Sequence, residues 1–139
     1  HLVATTLAEQ LRQQREGFSA LPAGRAGVEQ IVRDYLSIQH RDHPADGCPS
    51  AALLDEIGRC TDATKQAYTD GVLAMIDDIA ARLMPADPPS ARVKTLSVYA
   101  LMIGTLQLSR ALADRRLADA VLDQGIQNAL TILGIRNRG

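Results

Sequence analysis

The sequence predicts an all-α fold, a single helical-bundle domain of about six helices. Three observations carry this. Apolar residues recur at helical spacing through every long segment, prolines and glycines gather between those segments, and no stretch alternates with the period of two that marks a half-buried strand.

In chain order, residues 2–16 place Ala4, Leu7, Ala8 and Leu11 on one face and Glu9, Arg12, Gln13 and Glu16 on the other. Gly17 and then Leu21-Pro22-Ala23-Gly24 are expected to end that helix. A second helix is predicted from Ala26 to His40, striped by Val28, Ile31, Val32, Tyr35 and Leu36, with a polar loop from His40 to Asp46. Pro49 suits a first helical position because its missing N–H would be unpaired there, so a short helix to about Cys60 follows. Thr61 or Asp62 caps the next, which carries Ala67, Tyr68, Gly71, Met75, Ile79 and Leu83 on one side and is stopped by Pro85, Pro88 and Pro89.

Ser90 is expected to cap a long helix to about Ala113, and the last runs from Asp114 to Ile135. Between Leu96 and Leu108, apolar residues occupy nearly every side, broken by Ser97, Gly104, Thr105 and Gln107, so this helix is predicted to be covered on more than one face. The last helix offers Val121, Leu122, Ile126, Ala129, Leu130 and Leu133 around Gly125. Glycine costs about 1 kcal/mol relative to alanine inside a helix. Gly104 and Gly125 are therefore expected to mark close helix approach.

Bulk properties narrow the function. A chain of 139 residues fits one domain, and with only 3% aromatics its core must be built from Leu, Ile, Val, Ala and Met. A formal charge of −1 without a dense basic run argues against gripping nucleic acid through this chain alone. Cys48 and Cys60 are too few for a disulfide framework. No signal peptide is visible and no apolar run reaches the ~18 residues of a membrane span, so a cytoplasmic location without membrane contact is expected. The start at His1 within a helical pattern, without Met, suggests a fragment of a longer protein.

Catalytic schemes fail on residue placement. The Glu-x-x-His of a di-iron bundle does not occur, and no Gly-rich phosphate loop is present. Ser37, His40 and Asp42 share one stretch with no sign of an oxyanion hole. Asp55-Glu56 and Asp77-Asp78 are adjacent on helices and splay about 100° apart. His40, Asp42, His43, Asp46 and Cys48 match no closed zinc site in their spacing and read as a solvated loop. Neither an enzyme nor a metal or other cofactor is expected. Cys48 precedes a helix start, where free N–H groups favour a reactive thiolate, yet a small buried side chain at a Gly-Cys-Pro turn is the favoured reading. Cys60 reads as structural. Tyr35, Tyr68, Met75, Tyr99 and Met102 fall on apolar stripes, as plain core or as the lining of a cavity with a few polar handles. With Phe18 and Val72 they form the candidate ligand-binding set.

Three segments carry a resemblance: LPAGRAGVEQIVRDYLS (21–37), HRDHPADGCPSAALLDEIGR (40–59) and TLSVYALMIGTLQLSRALADRRLADAVLDQG (95–125). Together with the helix order, they resemble the regulatory domain of tetracycline-repressor-type (TetR-family) transcription regulators. The resemblance spans essentially the whole chain and implies an effector-sensing, dimerising domain, 1–139. Its residues 1–20 would be the linker helix from an N-terminal helix-turn-helix domain that this sequence lacks. The helices at 26–40, 49–60, 62–84 and 91–113 would surround a ligand cavity. Helices 91–113 and 115–135 would form an intersubunit four-helix bundle with their copies, with Leu96, Ile103, Gly104, Gln107, Val121, Gly125, Ile126 and Ala129 at the dimer interface. The implied partners are a second copy and a small-molecule effector, neutral or apolar because few ionisable residues lie on the stripes. DNA would be reached only through the missing domain, in a bacterial repressor or activator whose linker helix tilts when effector binds. Two rivals stand beside this: a redox or electrophile sensor acting through Cys48, and a purely structural dimer module.

Overall fold

A computed structural model describes residues 2–135. The helices are α1 Leu2–Ser19, α2 Gly24–Tyr35, α3 Ile38–Asp42, α4 Pro49–Ile57, α5 Asp62–Leu83, α6 Pro88–Ala111 and α7 Arg115–Leu133, with side-chain caps from Ser37, Thr61 and Asp114 at α3, α5 and α7. No strand occurs among the described residues, and the all-α, single-domain expectation holds. None of these helices is long and apolar enough to cross a membrane.

Several boundaries differ from the sequence expectation. Helix α1 runs through Gly17 to Ser19, because Gly17 faces open space and one exposed glycine costs only about 1 kcal/mol. The predicted 26–40 helix is two helices. Ser37 accepts a hydrogen bond from the His40 backbone N–H at 3.1 Å, capping α3 and breaking the chain after Leu36. The expected His40–Asp46 loop is therefore largely the end of α3 followed by one 3₁₀ turn, Pro44–Asp46. Helix α6 opens at Pro88, with Asp87 rather than Ser90 in the capping position, so Pro88 starts a helix instead of only stopping one. Asp114 does cap α7, accepting from Leu117 N–H at 3.2 Å. At the other end Gly134, at φ 70°, takes the left-handed turn that returns the Ile135 N–H to Leu130 O at 2.9 Å.

Helix α5 is the hub, packed by α1, α2, α4 and α6, while α7 closes over α2 and α6. The main core joins Val28, Ile31 and Val32 of α2 and Leu36 just after it to Met75, Ile76 and Ile79 of α5 and to Tyr99, Met102 and Leu106 of α6. Leu7 and Leu11 of α1 form a smaller cluster with Ile57 of α4. Arg82 of α5 donates to Phe18 O at 2.9 Å, holding the last turn of α1, and Arg15 forks onto Asp78 at 2.6 and 3.1 Å. A Cβ on Gly125 would lie 2.5 Å from Thr105 Cγ2 and 3.2 Å from Leu36 Cδ1, so α7 does approach its neighbours closely there. Gly104 is the opposite case: nothing lies within 4 Å of its Cβ position, and it faces outward.

The segment once read as a solvated loop holds a buried arginine. Arg41 is 5% exposed and donates to Asp119 Oδ1 at 2.6 Å, to Asp42 Oδ1 at 2.9 Å and to Ser109 Oγ at 3.4 Å. Ser109 donates in turn to Ala118 O at 2.8 Å, and Arg110 donates to the His40 and Arg41 carbonyls at 3.0 Å each. These bonds fix α3 to the α6–α7 turn and so position what lies beside it.

Candidate functional site

The Gly47-Cys48-Pro49 turn is pinned from below by His40. The ring donates from Nδ1 to Tyr35 O at 2.7 Å and accepts the Cys48 backbone N–H on Nε2 at 3.1 Å. That pattern requires the neutral ring, and a side chain at Gly47 would collide with the imidazole. Burial, the largest effect, pushes the His40 pKa down; Arg110 adds to this and the Tyr35 carbonyl opposes it. A neutral-form preference stabilises the fold fully above the unfolded histidine pKa of about 6.5, and the stabilisation is lost as pH falls towards and through the lower folded value. Urea denaturation should therefore give a lower midpoint at pH 5.5 than at pH 7.5, by a difference that shrinks in His40→Gln. An equal difference in the variant would assign the effect elsewhere.

Above the turn, three helices converge on a buried polar chain. Cys48 Sγ lies 2.9 Å from Tyr99 Oη, which donates to Ser50 Oγ at 3.0 Å, and Ser50 meets Tyr68 Oη at 2.6 Å. The Tyr99 proton is committed to Ser50, so the Cys48 thiol is the donor in its own bond. The thiol is 3% exposed and faces Tyr99 instead of capping α4. Desolvation holds the Tyr99 phenol well above the usual range, reinforced by the neighbouring thiol, and burial raises Tyr68 as well. Both phenols therefore keep their protons near pH 7.

Tyr35 is the exception within this cluster. It is 4% exposed, and its hydroxyl has no hydrogen-bond partner. Burial drives its pKa far above the ordinary value, and the Cys48 thiol beside the hydroxyl pushes it the same way, although the two do not reach hydrogen-bonding geometry. The ring packs edge-on to His40 and Tyr99, with centroids 4.8 and 6.0 Å away.

Two spaces meet at Tyr35. One is a small apolar cavity of about 20 Å³, framed by Ile31, Ile76, Ile79, Thr95, Val98, Tyr99 and Met102. That is room for a single water. The other is an open polar cleft of about 500 Å³ between α1 and the α2–α4 connection, lined by Gln10, Gln13, Gln14, Asp34, His40 and Cys48. Phe18 and Tyr35 line both. Of the residues expected to contact ligand, Phe18, Tyr35, Tyr99 and Met102 thus stand at these spaces. Val72 and Met75 are packed into the core, and Tyr68 is tied to Ser50. Helix α1 reaches the cleft through Gln14, which stands on its apolar stripe between Leu11 and Phe18, and through Gln13 at the edge of its polar face.

Of the zinc-like set, His40 is committed as above and His43 Nδ1 donates to Gln39 O at 2.8 Å. The Asp46 side chain lies outside the described residues. Among those described, no three His, Cys, Asp or Glu side chains come together as metal ligands.

The outward faces of α6 and α7 form a second candidate region. Val93, Ser97, Ala100, Gly104, Leu108 and Ala111 recur at three- and four-residue spacing and are all exposed, Val93 at 76% and Leu108 at 52%. Leu117, Ala120, Gln124, Asn128, Thr131 and Ile132 do the same on α7. Neither stripe carries a charge. Of the expected interface residues, Ile103, Gly125 and Ala129 are instead covered by the chain's own helices. Leu96, Val121 and Ile126 are half-buried; Gly104 is exposed, and so is Gln107, whose amide donates to Ala51 O at 2.7 Å.

Compared with protein-family models, curated proteins and solved structures, the chain finds no match in any of the three.

Proposed function

We propose that this chain is the effector-binding and dimerisation domain of a TetR-type transcription regulator. Its own contribution is to pair with a second copy and to take a small molecule beside α1, and DNA reading belongs to a domain outside it. The observation that carries the proposal is the pair of charge-free outer stripes on α6 and α7. Solvated helices ordinarily scatter charge over their free faces, and a contiguous uncharged, partly apolar face over two adjacent helices suits a symmetric partner. A two-fold axis across these stripes would set four helices together. The cleft supports the sensing half, because its volume falls within the range of roughly 300–1,000 Å³ that small-molecule sites occupy.

Light scattering coupled to size exclusion at low micromolar concentration tests the reading. The expected mass is twice the 15.0 kDa of the chain. A stable monomer would overturn it.

A further inference from the structure

We propose that the cleft beside α1 takes an uncharged amphiphile, whose polar head has both a donor and an acceptor and whose apolar tail passes between Phe18 and Tyr35 into the core. This rests on reading the chain as an effector-binding domain and adds the class of effector and its route.

The head is specified by two buried, unsatisfied polar atoms. Tyr35 Oη is a donor with no acceptor, and Gln14 Oε1 is an acceptor with no donor. Both residues line the cleft. A buried polar group left unpaired costs roughly 1–3 kcal/mol, so a ligand that satisfies both recovers what the empty site gives up. A primary amide or a hydroxyl offers the required donor and acceptor together. An anion has no counterpart, since among the described residues no Lys or Arg lines the cleft, Asp34 does, and His40 is held neutral by its two backbone bonds; an ammonium would meet Asp34 but brings no acceptor for the Tyr35 hydroxyl.

The tail follows from the shared wall. Beyond Phe18 and Tyr35 lie only Ile, Val, Met and Leu side chains with Thr95 and Tyr99, around a space too small for more than one water. Thr95 keeps its hydroxyl on Ala91 O at 2.7 Å, so that cavity presents no free donor for a second polar group. A space for one water does not hold an alkyl chain as it stands, so a chain entering there must turn Phe18 aside and part the core side chains beyond it; Phe18 sits in the last turn of α1, whose carbonyl Arg82 holds. Occupancy therefore acts on the C-terminal end of α1.

The test is titration calorimetry of the full chain with octanamide, octanoate and octylammonium, which share a tail and differ in head. Octanamide should bind saturably, with octanoate and octylammonium at least tenfold weaker. Tyr35→Phe should weaken octanamide about fivefold, the equivalent of one hydrogen bond of about 1 kcal/mol. Gln14→Leu should weaken it similarly. Ligand-free Tyr35→Phe should melt no lower than the parent and up to about 3 °C higher, because it loses an unpaired hydroxyl and no contact. A tyrosine that serves only packing would leave octanamide affinity unchanged on that substitution, which overturns the assignment. Equal or tighter binding of octanoate or octylammonium overturns the uncharged head. A dimer that ignores all three probes overturns this ligand class alone, whereas a monomer that binds octanamide overturns the dimer reading alone.

Discussion

Gly104→Arg should halve the mass in solution while leaving the helical content of the protomer intact. Nothing lies within 4 Å of a Cβ at this position, so the substitution meets no atom of its own chain. Replacing an exposed helical glycine also improves intrinsic helix propensity, by up to about 1 kcal/mol. The new guanidinium would project from the middle of the uncharged stripe between Ala100 and Leu108, where two copies related by a two-fold axis would bring like charges together without partners. Light scattering reads the mass and far-ultraviolet circular dichroism the fold. A variant that remains dimeric at low micromolar concentration would move the interface away from α6. Gly125→Val is the opposing control, because its side chain is forced against Thr105 and Leu36; it should destabilise the chain by roughly 1–3 kcal/mol through overpacking.

Arg41→Ala should be the most damaging single change in the α3 region, lowering stability by about 2–4 kcal/mol in urea denaturation. It deletes a 5%-exposed guanidinium that joins α3 to Asp119 of α7 and Ser109 of α6, and leaves a cavity where the stem was packed. Asp119→Asn should cost less, because Asp42 still accepts from Arg41 at 2.9 Å. Equal losses for the two variants would mean that the Asp119 pair carries the whole effect.

These two regions also mark what the sequence makes legible. The helices were readable because Leu, Ile and Val recur at helical spacing and Pro, Asp and Thr punctuate them at α4, α5 and α7. The break after Leu36 was not, since the apolar stripe continues through it and only the Ser37 hydroxyl, turned onto the His40 N–H, ends the helix. Arg41 stands among His and Asp and has the local pattern of a solvated loop; its decisive partner is 78 residues away. Gly104 and Gly125 are likewise indistinguishable in their own helices, and only the neighbours brought by folding separate a free surface from a tight contact. In the candidate site, the stripes pointed to Tyr35, Tyr99 and Met102. They could not show that the Tyr35 hydroxyl would be unpaired, or that Gln14, a polar residue within the apolar stripe of α1, would line the same cleft.

The clasp of Arg82 on the Phe18 carbonyl gives α1 the mechanics of a lever. Arg15 and Asp78 add an exposed second fastening one turn away, and Leu7 and Leu11, buried against Ile57, hold the helix further along. From Phe18 back to Leu2 the helix extends about 24 Å at 1.5 Å per residue. A rotation of about 5° around that clasp would carry the far end by roughly 2 Å over the same arm. A side chain turned aside by less than its own width near the fulcrum thus becomes a displacement comparable to the rise of a full residue at the tip.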